Sequence, residues 1–411
     1  MSNPITTRTV ALGDAEPAPV DLDAVRSYRY ARVQQQLRDN DCAAALLSDP
    51  VNIRYATDTR NMSVWLLHNT GRYCLVPAEG GAVLFEYPNN SCLAIGPRTP
   101  EIAEVRPASA YAFQWVGELA DRTCRQWAAE IRGVVARHMG ESARRLAIDR
   151  LDFEGVDALR AEGFVLVEGQ RLLELARSVK SAGEITCMRR SLAVCDIGMG
   201  RMREALRPGM TENELWAELH HANIAHGGEW IETRLLSSGP RTNPWFQEAS
   251  SRIIEAGDLV SFDTDMVGPY GYCSDVSRTF LCGNGPPTNQ QKSLYALAVE
   301  QVAHNCELLR PGLSFGQYAR QAWAIPAQFA RLNYGCIAHG VGMIDEWPAV
   351  SCDPEDPSQM DGAFVPGMTI CVESYIGEVG GSEGVKLEQQ VLITERGHEV
   401  LSTFPLESRL R

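Results

Sequence analysis

The stretch LVSFDTDMVGPYGYCSDVSRTF, residues 259–280, carries three aspartates among apolar residues. Its pattern predicts a strand, a Gly-Pro-Tyr-Gly turn and a returning strand. Alternate residues of a strand share a face, so Asp263 and Asp265 are expected to point the same way, with Asp275 returned towards them by the hairpin. Converging carboxylates repel one another and lose hydration, and a divalent cation relieves both costs. This stretch alone fits a metal site and an acidic surface hairpin equally well.

A second group of polar residues lies further along the chain, within apolar sequence. His339 follows an apolar stretch, Glu373 lies inside TICVESYIG, and Glu388 lies inside GVKLEQQVLI. A carboxylate in the middle of an apolar strand is rarely buried without a partner. The two groups together supply five carboxylates and one imidazole, an oxygen-rich set that suits Mn, Fe or Zn. The sequence therefore predicts a metal site built from Asp263, Asp265, Asp275, His339, Glu373 and Glu388.

The overall composition indicates a folded protein of two domains. Of its residues, 45% are hydrophobic and 22% are charged, as in ordinary folded proteins. Its length of 411 residues is more than one ordinary core accommodates. The formal net charge of -14 would repel phosphate backbones and anionic lipid surfaces. We therefore expect neither nucleic acid nor a membrane as a partner.

The cysteines and the chain start point to a reducing compartment. Twelve cysteines are scattered along the sequence without a C-x-x-C pair, which favours reduced thiols over a disulfide framework. The chain start lacks a basic segment followed by an apolar one, and no run approaches 18 apolar residues. These features predict a cytoplasmic protein.

Periodicity and turn signals divide the chain into three parts. Residues 1–20 are predicted to form an N-terminal arm, residues 21–172 a small mixed α/β domain that begins with a helix, and residues 173–411 the metal-binding domain. In the last part, long helical periodicity runs from Leu173 to Arg207, and Thr211 with Glu214 forms a capping-box pattern before another helix. Strand patterns and one further helix follow. The expected fold class is α+β.

The ligand order resembles a known family. The series Asp263, Asp275, His339, Glu373 and Glu388 is similar to that of the pita-bread-fold family of methionine aminopeptidase, aminopeptidase P, prolidase and creatinase. The segment DPVNIRYAT, residues 49–57, resembles the N-terminal domain of its creatinase and prolidase branch. The resemblance implies curved antiparallel sheets covered by helices in the C-terminal domain. It also implies a homodimer in which one N-terminal domain reaches over the other active site.

Departures from the peptidase pattern change the predicted activity. The segment HGVGMIDEWP, residues 339–348, has Asp345 where prolidase-like peptidases carry a second histidine. These peptidases also carry a histidine after a Ser-Gly turn, and the corresponding segment SGPRTNPWF, residues 238–246, has none. Asp265 is an additional carboxylate, and Asp275 follows Asp263 by twelve residues rather than eleven. These features are similar to the dimethylsulfoniopropionate lyases of the DddP type, which use a peptidase-like scaffold for a β-elimination.

The extra carboxylate bears on the expected metal. Five negative charges exceed the four positive charges of two divalent ions, which favours ions of strong Lewis acidity. We expect a divalent or trivalent transition metal, bound as two ions, with iron preferred over zinc and manganese.

The lyase resemblance implies roles for further residues. The substrate carboxylate would bind the metal, and the sulfonium would lie against aromatic faces, for which the candidates are Trp65, Tyr334, Trp347 and Trp245. Asp345 is the expected base, unless it only caps the turn after HGVG. Tyr334 is the alternative base, unless it is an ordinary core tyrosine. Trp65 would come from the neighbouring chain. Arg278 is expected to pair with a ligand carboxylate.

Three other functions fit the same sequence. The first is a prolidase-like or aminopeptidase P-like metallopeptidase, because the five shared ligand positions are intact. The second is a creatinase-like C–N hydrolase. The third is a binding module of the same fold without activity, and retention of every ligand position argues against it.

Overall fold

The computed structural model describes residues 19–87, 100–356 and 362–411. The predicted arm at residues 1–20 therefore lies outside the described residues except for its last two. The described chain divides into two compact units, Asp21–Arg177 and Ser178–Arg411. The boundary proposed at about residue 172 lies inside the helix Gln170–Arg177, shortly before this division.

The N-terminal unit is built on one mixed six-stranded sheet. Its strands run in the order β4-β3-β2-β1-β5-β6, with antiparallel pairing of β1 to β2 and β2 to β3 and parallel pairing elsewhere. Trp127, on the longest helix of the unit, packs into the core on one face of this sheet. The strands are β1 Ala44–Leu47, β2 Tyr73–Pro77, β3 Ala82–Glu86, β4 Ile102–Pro107, β5 Arg145–Ile148 and β6 Val165–Glu168.

Helices of this unit begin where the sequence offers capping groups. Asp21 caps the first helix, since its side chain accepts a hydrogen bond from the Ala24 amide. The sequence of residues 42–57 predicts a strand, but this prediction is partly wrong, because only Ala44–Leu47 is extended. Asp49 accepts hydrogen bonds from Val51 and Asn52, and Pro50 occupies the first helical position, so residues 50–57 are helical. The helices are Leu22–Asp39, Pro50–Thr57, Ser63–Leu66, Phe113–Val116, Ala120–Met139, Phe153–Ala161 and Gln170–Arg177.

The helices of the C-terminal unit occur as two pairs along its sequence. The predicted helix from Leu173 to Arg207 is two helices, because Ser181 and Glu184 form a capping box that starts a new one. The predicted capping box of Thr211 and Glu214 is present. The helices are Ala182–Ala205, Glu212–Ala225, Asn289–Leu308 and Phe315–Gln321. None of the helices among the described residues combines the length and apolar character that crossing a membrane requires.

Three antiparallel sheets complete this unit. Their strand orders are β11-β10-β7, β12-β9-β8 and β14-β13-β15-β16-β17. The five-stranded sheet packs against the helix Asn289–Leu308 through a core that includes Ile376 and Val391. The strands are β7 Trp230–Ile231, β8 Leu236–Ser238, β9 Leu259–Phe262, β10 Met266–Val267, β11 Cys273–Ser274, β12 Arg278–Leu281, β13 Cys336–Val341, β14 Asp345–Ser351, β15 Thr369–Gly377, β16 Gly384–Ile393 and β17 His398–Val400.

The predicted aspartate hairpin is interrupted in both of its arms. Asp263 and Asp265 lie between β9 and β10, and Asp275 lies between β11 and β12. The Thr264 hydroxyl replaces the missing ladder bonds, since it donates to the Ser274 carbonyl at 2.8 Å and accepts from the Val276 amide at 3.0 Å. The expectation that Asp263 and Asp265 share a strand face is therefore wrong. The backbone of Asp265 is left-handed, with φ of 36°, so the chain turns at this residue and does not continue as a strand.

Candidate metal centre

The five-stranded sheet supplies three of the six predicted ligands from neighbouring strands. Glu373 of β15 pairs directly with Glu388 of β16, and His339 of β13 pairs with Cys371, two residues before Glu373. Because alternate residues of a strand share a face, Cys371 and Glu373 lie on one side of β15. The sheet thus presents His339, Glu373 and Glu388 together.

The interrupted hairpin brings the three aspartates to the same place. Three groups form in which the potential ligand atoms lie within 4.8 Å of one another. They are Asp263 with Asp265 and Asp275; Asp263 with Glu373 and Glu388; and Asp275 with His339, Cys371 and Glu388. The structure therefore assembles all six residues predicted from the sequence, while their role as ligands remains a proposal.

The chemistry of these groups fits metal ions. Each of the six side chains belongs to a residue that is at most 9% exposed. Within the described residues, Asp263 Oδ1, Asp275 Oδ1 and Glu388 Oε1 are buried oxygens without a hydrogen-bond donor. An unpartnered buried carboxylate oxygen costs free energy, and a bound cation would remove that cost. Oxygen donors with one imidazole suit iron, manganese or zinc.

His339 is oriented for such a role by its own main chain. Its Nδ1 lies 3.0 Å from the Gly340 carbonyl oxygen, an arrangement that places the ring proton on Nδ1. Nε2 then lies 3.4 Å from Asp275 and 3.6 Å from Glu373. A hydrogen bond at one ring nitrogen that leaves the other free to bind metal is the usual arrangement of a histidine ligand.

Lys386 is the functional residue that the sequence analysis missed. It is fully buried, and its Nζ lies 3.0 Å from Asp263 Oδ2, 2.5 Å from Glu373 Oε2 and 3.7 Å from Glu388 Oε2. Its position two residues before Glu388 on β16 puts both side chains on the same face of the strand. That spacing in GVKLEQQ was the available signal.

Electrostatics separate one aspartate from the other carboxylates. Burial opposes ionisation of Asp263, but the adjacent Lys386 ammonium lowers the pKa of this carboxyl to about 2. Burial, reinforced by neighbouring carboxylates, raises the pKa values of Asp265, Asp275 and Glu388. One lysine therefore does not satisfy the whole acidic set.

Cys371 lies in the same cluster but already has a hydrogen-bond acceptor. Its Sγ lies 3.6 Å from the Asp275 carbonyl oxygen. Burial raises the pKa of the Cys371 thiol, and the charge of Asp275 raises it further. The thiol therefore acts as a weak donor that holds the main chain of Asp275.

Asp345 lies at the edge of the cluster. Its Oδ1 lies 3.9 Å from His339 Nδ1, and 61% of its side-chain surface is exposed. Partial desolvation raises the pKa of Asp345; His339 opposes this shift, and the charges of Asp263 and Glu373 reinforce it. An accessible carboxylate with a raised pKa beside a buried ion site is suitably placed to exchange a proton with a substrate.

Aromatic rings border the cluster on the side of Lys386. The Lys386 ammonium lies 4.9 Å from the ring centre of Tyr334 and 5.7 Å from that of Trp245. Phe246 stacks on Tyr334 with a centroid distance of 5.3 Å. Burial raises the pKa of the Tyr334 hydroxyl, and Glu373 raises it further. Tyr334 thus stays protonated, which makes it a donor rather than a base.

Two other predicted substrate contacts lie in different surroundings. Trp347 packs edge-on against Phe315 at 5.3 Å, beside the hydrophobic core. Trp65 belongs to the N-terminal unit, where it forms an aromatic cluster with Tyr87 and Trp115, with centroid distances of 5.8 and 5.7 Å. Substrate binding by either tryptophan remains a prediction.

Arg278 does not act as expected. Its guanidinium donates to the carbonyl oxygens of Ser277, Glu388 and Phe404 and to the Gln389 side chain. The prediction that it pairs with a ligand carboxylate is wrong. Arg278 instead holds the main chain of the strand that carries Glu388.

Sequence profiles identify both parts of the chain. The profile of metallopeptidase family M24 matches residues 186–395, and that of the creatinase/prolidase N-terminal domain matches residues 29–179. Together they confirm the predicted two-domain α+β architecture.

Two relatives match over nearly the whole length. The dimethylsulfoniopropionate lyase DddP of Roseovarius nubinhibens is 41% identical over 95% of this chain and 88% of the relative. The protein of the same description from Roseobacter denitrificans is 40% identical with the same coverage. An Xaa-Pro dipeptidase of Pyrococcus horikoshii is 30% identical over 55% of this chain and 63% of its own length.

Solved structures agree on the fold. The prolidase of Thermococcus sibiricus superposes with a TM-score of 0.74 at 21% identity and covers 93% of this chain and 98% of its own. The prolidase of Pyrococcus horikoshii gives 0.72 at 22% identity, covering 92% and 99%. The two lyases match nearly the whole chain, and the M24 profile matches half of it. The chain therefore belongs to metallopeptidase family M24 and, within it, to the DddP family.

Proposed function

We propose that this protein is a metal-dependent carbon–sulfur lyase that cleaves dimethylsulfoniopropionate into dimethyl sulfide and acrylate. The observation that carries the proposal is Asp345, an accessible carboxylate 3.9 Å from His339 at the edge of a six-residue metal-binding set. The two relatives that match 95% of the chain are lyases of this substrate by name.

Asp345 serves as the base in this reaction. It takes a proton from the carbon next to the substrate carboxylate, and the released electron pair forms the new C=C bond. The C–S bond at the β carbon breaks, and its electron pair leaves on sulfur as neutral dimethyl sulfide. Acrylate remains. The raised pKa of Asp345 makes it a stronger base than an ordinary aspartate.

The ligand set is Asp263, Asp265, Asp275, His339, Glu373 and Glu388. It would hold a transition metal pair, for which iron is the first candidate and zinc and manganese are the alternatives. Bound to the substrate carboxylate, such ions would withdraw electron density and acidify the adjacent carbon.

The sulfonium end of the substrate would contact aromatic rings. Tyr334 and Trp245 already lie within 6 Å of the Lys386 ammonium, and this supports a role for their faces in contacting a positive charge. Trp347 and Trp65 remain further candidates. A cation–π contact of this kind contributes about 0.5–2 kcal/mol.

The active form would be a homodimer in which the N-terminal unit of one chain borders the site of the other. Trp65 supports this arrangement because exposed apolar residues flank it in the sequence and the exposed Trp115 packs against it. We name the set Met62, Val64, Trp65, Leu67, Phe113 and Trp115 the aromatic patch; apart from the half-buried Trp65, its members are exposed. Patches of this kind mark protein interfaces or ligand grooves.

The protein would act in the cytoplasm. The described cysteines are free thiols, although most of them are buried. That state suits a reducing compartment.

One assay tests the activity and its main alternative. Purified protein loaded with Fe²⁺, Zn²⁺ or Mn²⁺ is given dimethylsulfoniopropionate in one vessel and a set of Xaa-Pro dipeptides in another. Dimethyl sulfide in the headspace with stoichiometric acrylate, and no release of proline, is the expected result. Proline release without dimethyl sulfide would assign the protein to the peptidases. A third vessel contains creatine, and its hydrolysis would assign the protein to the creatinase-like enzymes.

A further inference from the structure

Lys386 is a full positive charge buried among the proposed metal ligands. Its Nζ contacts Asp263 and Glu373 and also donates to Ser277 Oγ at 2.6 Å. Ser277 in turn donates to Glu388 Oε2 at 2.9 Å. The lysine therefore holds three of the five carboxylates, two directly and one through a hydroxyl.

This contact changes the charge balance expected from the sequence. Five carboxylates exceed two divalent ions by one negative charge, and a buried excess charge is costly. The Lys386 ammonium supplies the missing positive charge, so the set with two divalent ions becomes neutral. The sequence-based argument for ions of higher charge therefore loses its basis.

We propose that Lys386 is a positioning residue of the metal centre, which compensates one ligand charge and thereby tunes the site to two divalent ions. This inference rests on the proposed ligand set but not on the reaction catalysed. Lys386 keeps Asp263 and Glu373 in place when metal is lost, and it disfavours a trivalent ion because that ion would leave the buried set with excess positive charge.

Metal-dependent unfolding separates this role from a purely structural one. Lys386→Met keeps a side chain of similar length without the charge, and Lys386→Arg keeps the charge. Each protein is unfolded by heat with Mn²⁺ bound and after treatment with a chelator. Chelation should lower the Tm of Lys386→Met by at least about twice as much as that of the unsubstituted protein. Without the ammonium, only the bound ions compensate the buried carboxylates and stabilise the native state.

The arginine variant should behave like the unsubstituted protein in this comparison. If Lys386→Met has a Tm below that of the unsubstituted protein by the same amount with and without metal, the lysine acts only as a core side chain. That result would overturn the proposal. If Lys386→Met does not fold, Lys386→Gln takes its place. Failure of both to fold in Mn²⁺ would overturn the proposal in the same way.

A second measurement reads the charge directly. Protein loaded with Fe²⁺ without oxygen is titrated in a redox cell. At a fixed potential the ratio of ferric to ferrous iron should rise about tenfold in the methionine or glutamine variant, a shift of about 59 mV for one electron. An unchanged ratio would contradict the proposal. Neither measurement uses dimethylsulfoniopropionate, so their outcome is independent of whether the lyase assay succeeds.

Discussion

Single substitutions in a shared site distinguish this chain from the peptidases of its family. Asp345 follows His339, the proposed histidine ligand, where the peptidase pattern has a second histidine. A carboxylate can take a proton from carbon, and dimethyl sulfide then leaves as a neutral molecule without needing a proton, whereas a leaving amine has to be protonated. The exchange therefore suits an elimination better than amide hydrolysis.

Asp345→Asn should nearly abolish turnover. Asparagine keeps the shape of the side chain but cannot accept the proton, and loss of a general base commonly costs about 10²–10⁴-fold in kcat. Because Asp345 is 61% exposed and lies outside the six ligands, metal content and Tm should stay unchanged. All three quantities are measured on one preparation, with Tyr334→Phe as the matched variant.

The alternatives predict different results for the same pair. A folded, metal-loaded Asp345→Asn protein with kcat within a few-fold of the unsubstituted enzyme would exclude the aspartate as the base. If Asp345 only caps the turn, the variant should lose about 0.5–2 kcal/mol of stability and keep its specific activity. Loss of kcat only in Tyr334→Phe would move the role to the tyrosine.

Asp265→Asn should reduce metal loading. Asp265 shares a group of ligand atoms within 4.8 Å with Asp263 and Asp275, and its amide analogue loses the charge. Asparagine tolerates the left-handed backbone at this position, so the variant tests the ligand rather than the turn. Metal content after dialysis should fall to one ion or less per chain, judged by elemental analysis.

The control for this variant is Thr233→Val. Thr233 donates a hydrogen bond to Asp265 Oδ2, and removing this bond leaves the carboxylate charge in place. Its metal content should remain close to that of the unsubstituted protein. Full occupancy with normal turnover in Asp265→Asn would exclude Asp265 from the ligand set.

At the scale of secondary-structure elements, prediction from sequence succeeded where local signals decide. The strand Thr369–Gly377 and the capping box at Thr211 and Glu214 follow from apolar runs and capping residues. The interruption at residues 263–265 could not be predicted, because Thr264 satisfies ladder positions through its side chain. Lys386 was missed because a lysine in a strand pattern usually faces solvent, whereas pairing of β15 with β16 buries this one among carboxylates.

Asp58 joins the first two helices of the N-terminal unit. It follows the helix Pro50–Thr57 and accepts from Arg26 at 2.8 Å and Arg29 at 3.0 Å, with Arg54 at 3.4 Å. Burial opposes ionisation of Asp58, but the charges of Arg54 and Arg29 outweigh it and lower its pKa. The ion pairs should therefore stabilise this unit at neutral pH.

Asp58→Asn should lower the free energy of unfolding by about 1–3 kcal/mol at pH 7. Because the folded-state pKa is lowered, this stabilisation is present above the unfolded value of about 3.9 and is lost as pH falls through the folded-state pKa. Urea unfolding at pH 7 and towards pH 3 should show the difference between the two proteins shrinking on acidification. Asp23→Asn, which removes an exposed partner of Arg26, should have little effect at either pH.

At the scale of the whole molecule, the aromatic patch is the feature that one chain leaves unexplained. Two of its rings, Trp65 and Trp115, pack edge-on against each other and against the neighbouring Tyr87. Rings that already pack against one another lose little side-chain freedom on binding, which suits an interface. A homodimer that closes its active site with this patch would account for its exposure.

Trp65→Ala should raise KM without lowering metal content. The lost sulfonium contact weakens substrate binding by about 0.5–2 kcal/mol, whereas the six ligands belong to the other unit of the chain. Phe153→Ala, which removes an exposed ring of the same unit that is not a member of the patch, should leave KM unchanged. Light scattering on both variants reports whether they remain dimers, and an unchanged KM in Trp65→Ala would exclude the contact.

Mixing two inactive or weakened variants tests whether Trp65 acts across the dimer. In a mixed dimer of Trp65→Ala with Asp345→Asn, a contact between chains creates one site that has both intact residues and one site that lacks both. After random exchange of equal amounts, about a quarter of all sites should show the unsubstituted KM and kcat. If Trp65 serves the site of its own chain, every site keeps one defect, and subunit exchange adds no activity to that of the separate proteins. Recovery of a low-KM activity that grows with the extent of exchange would therefore establish the shared site.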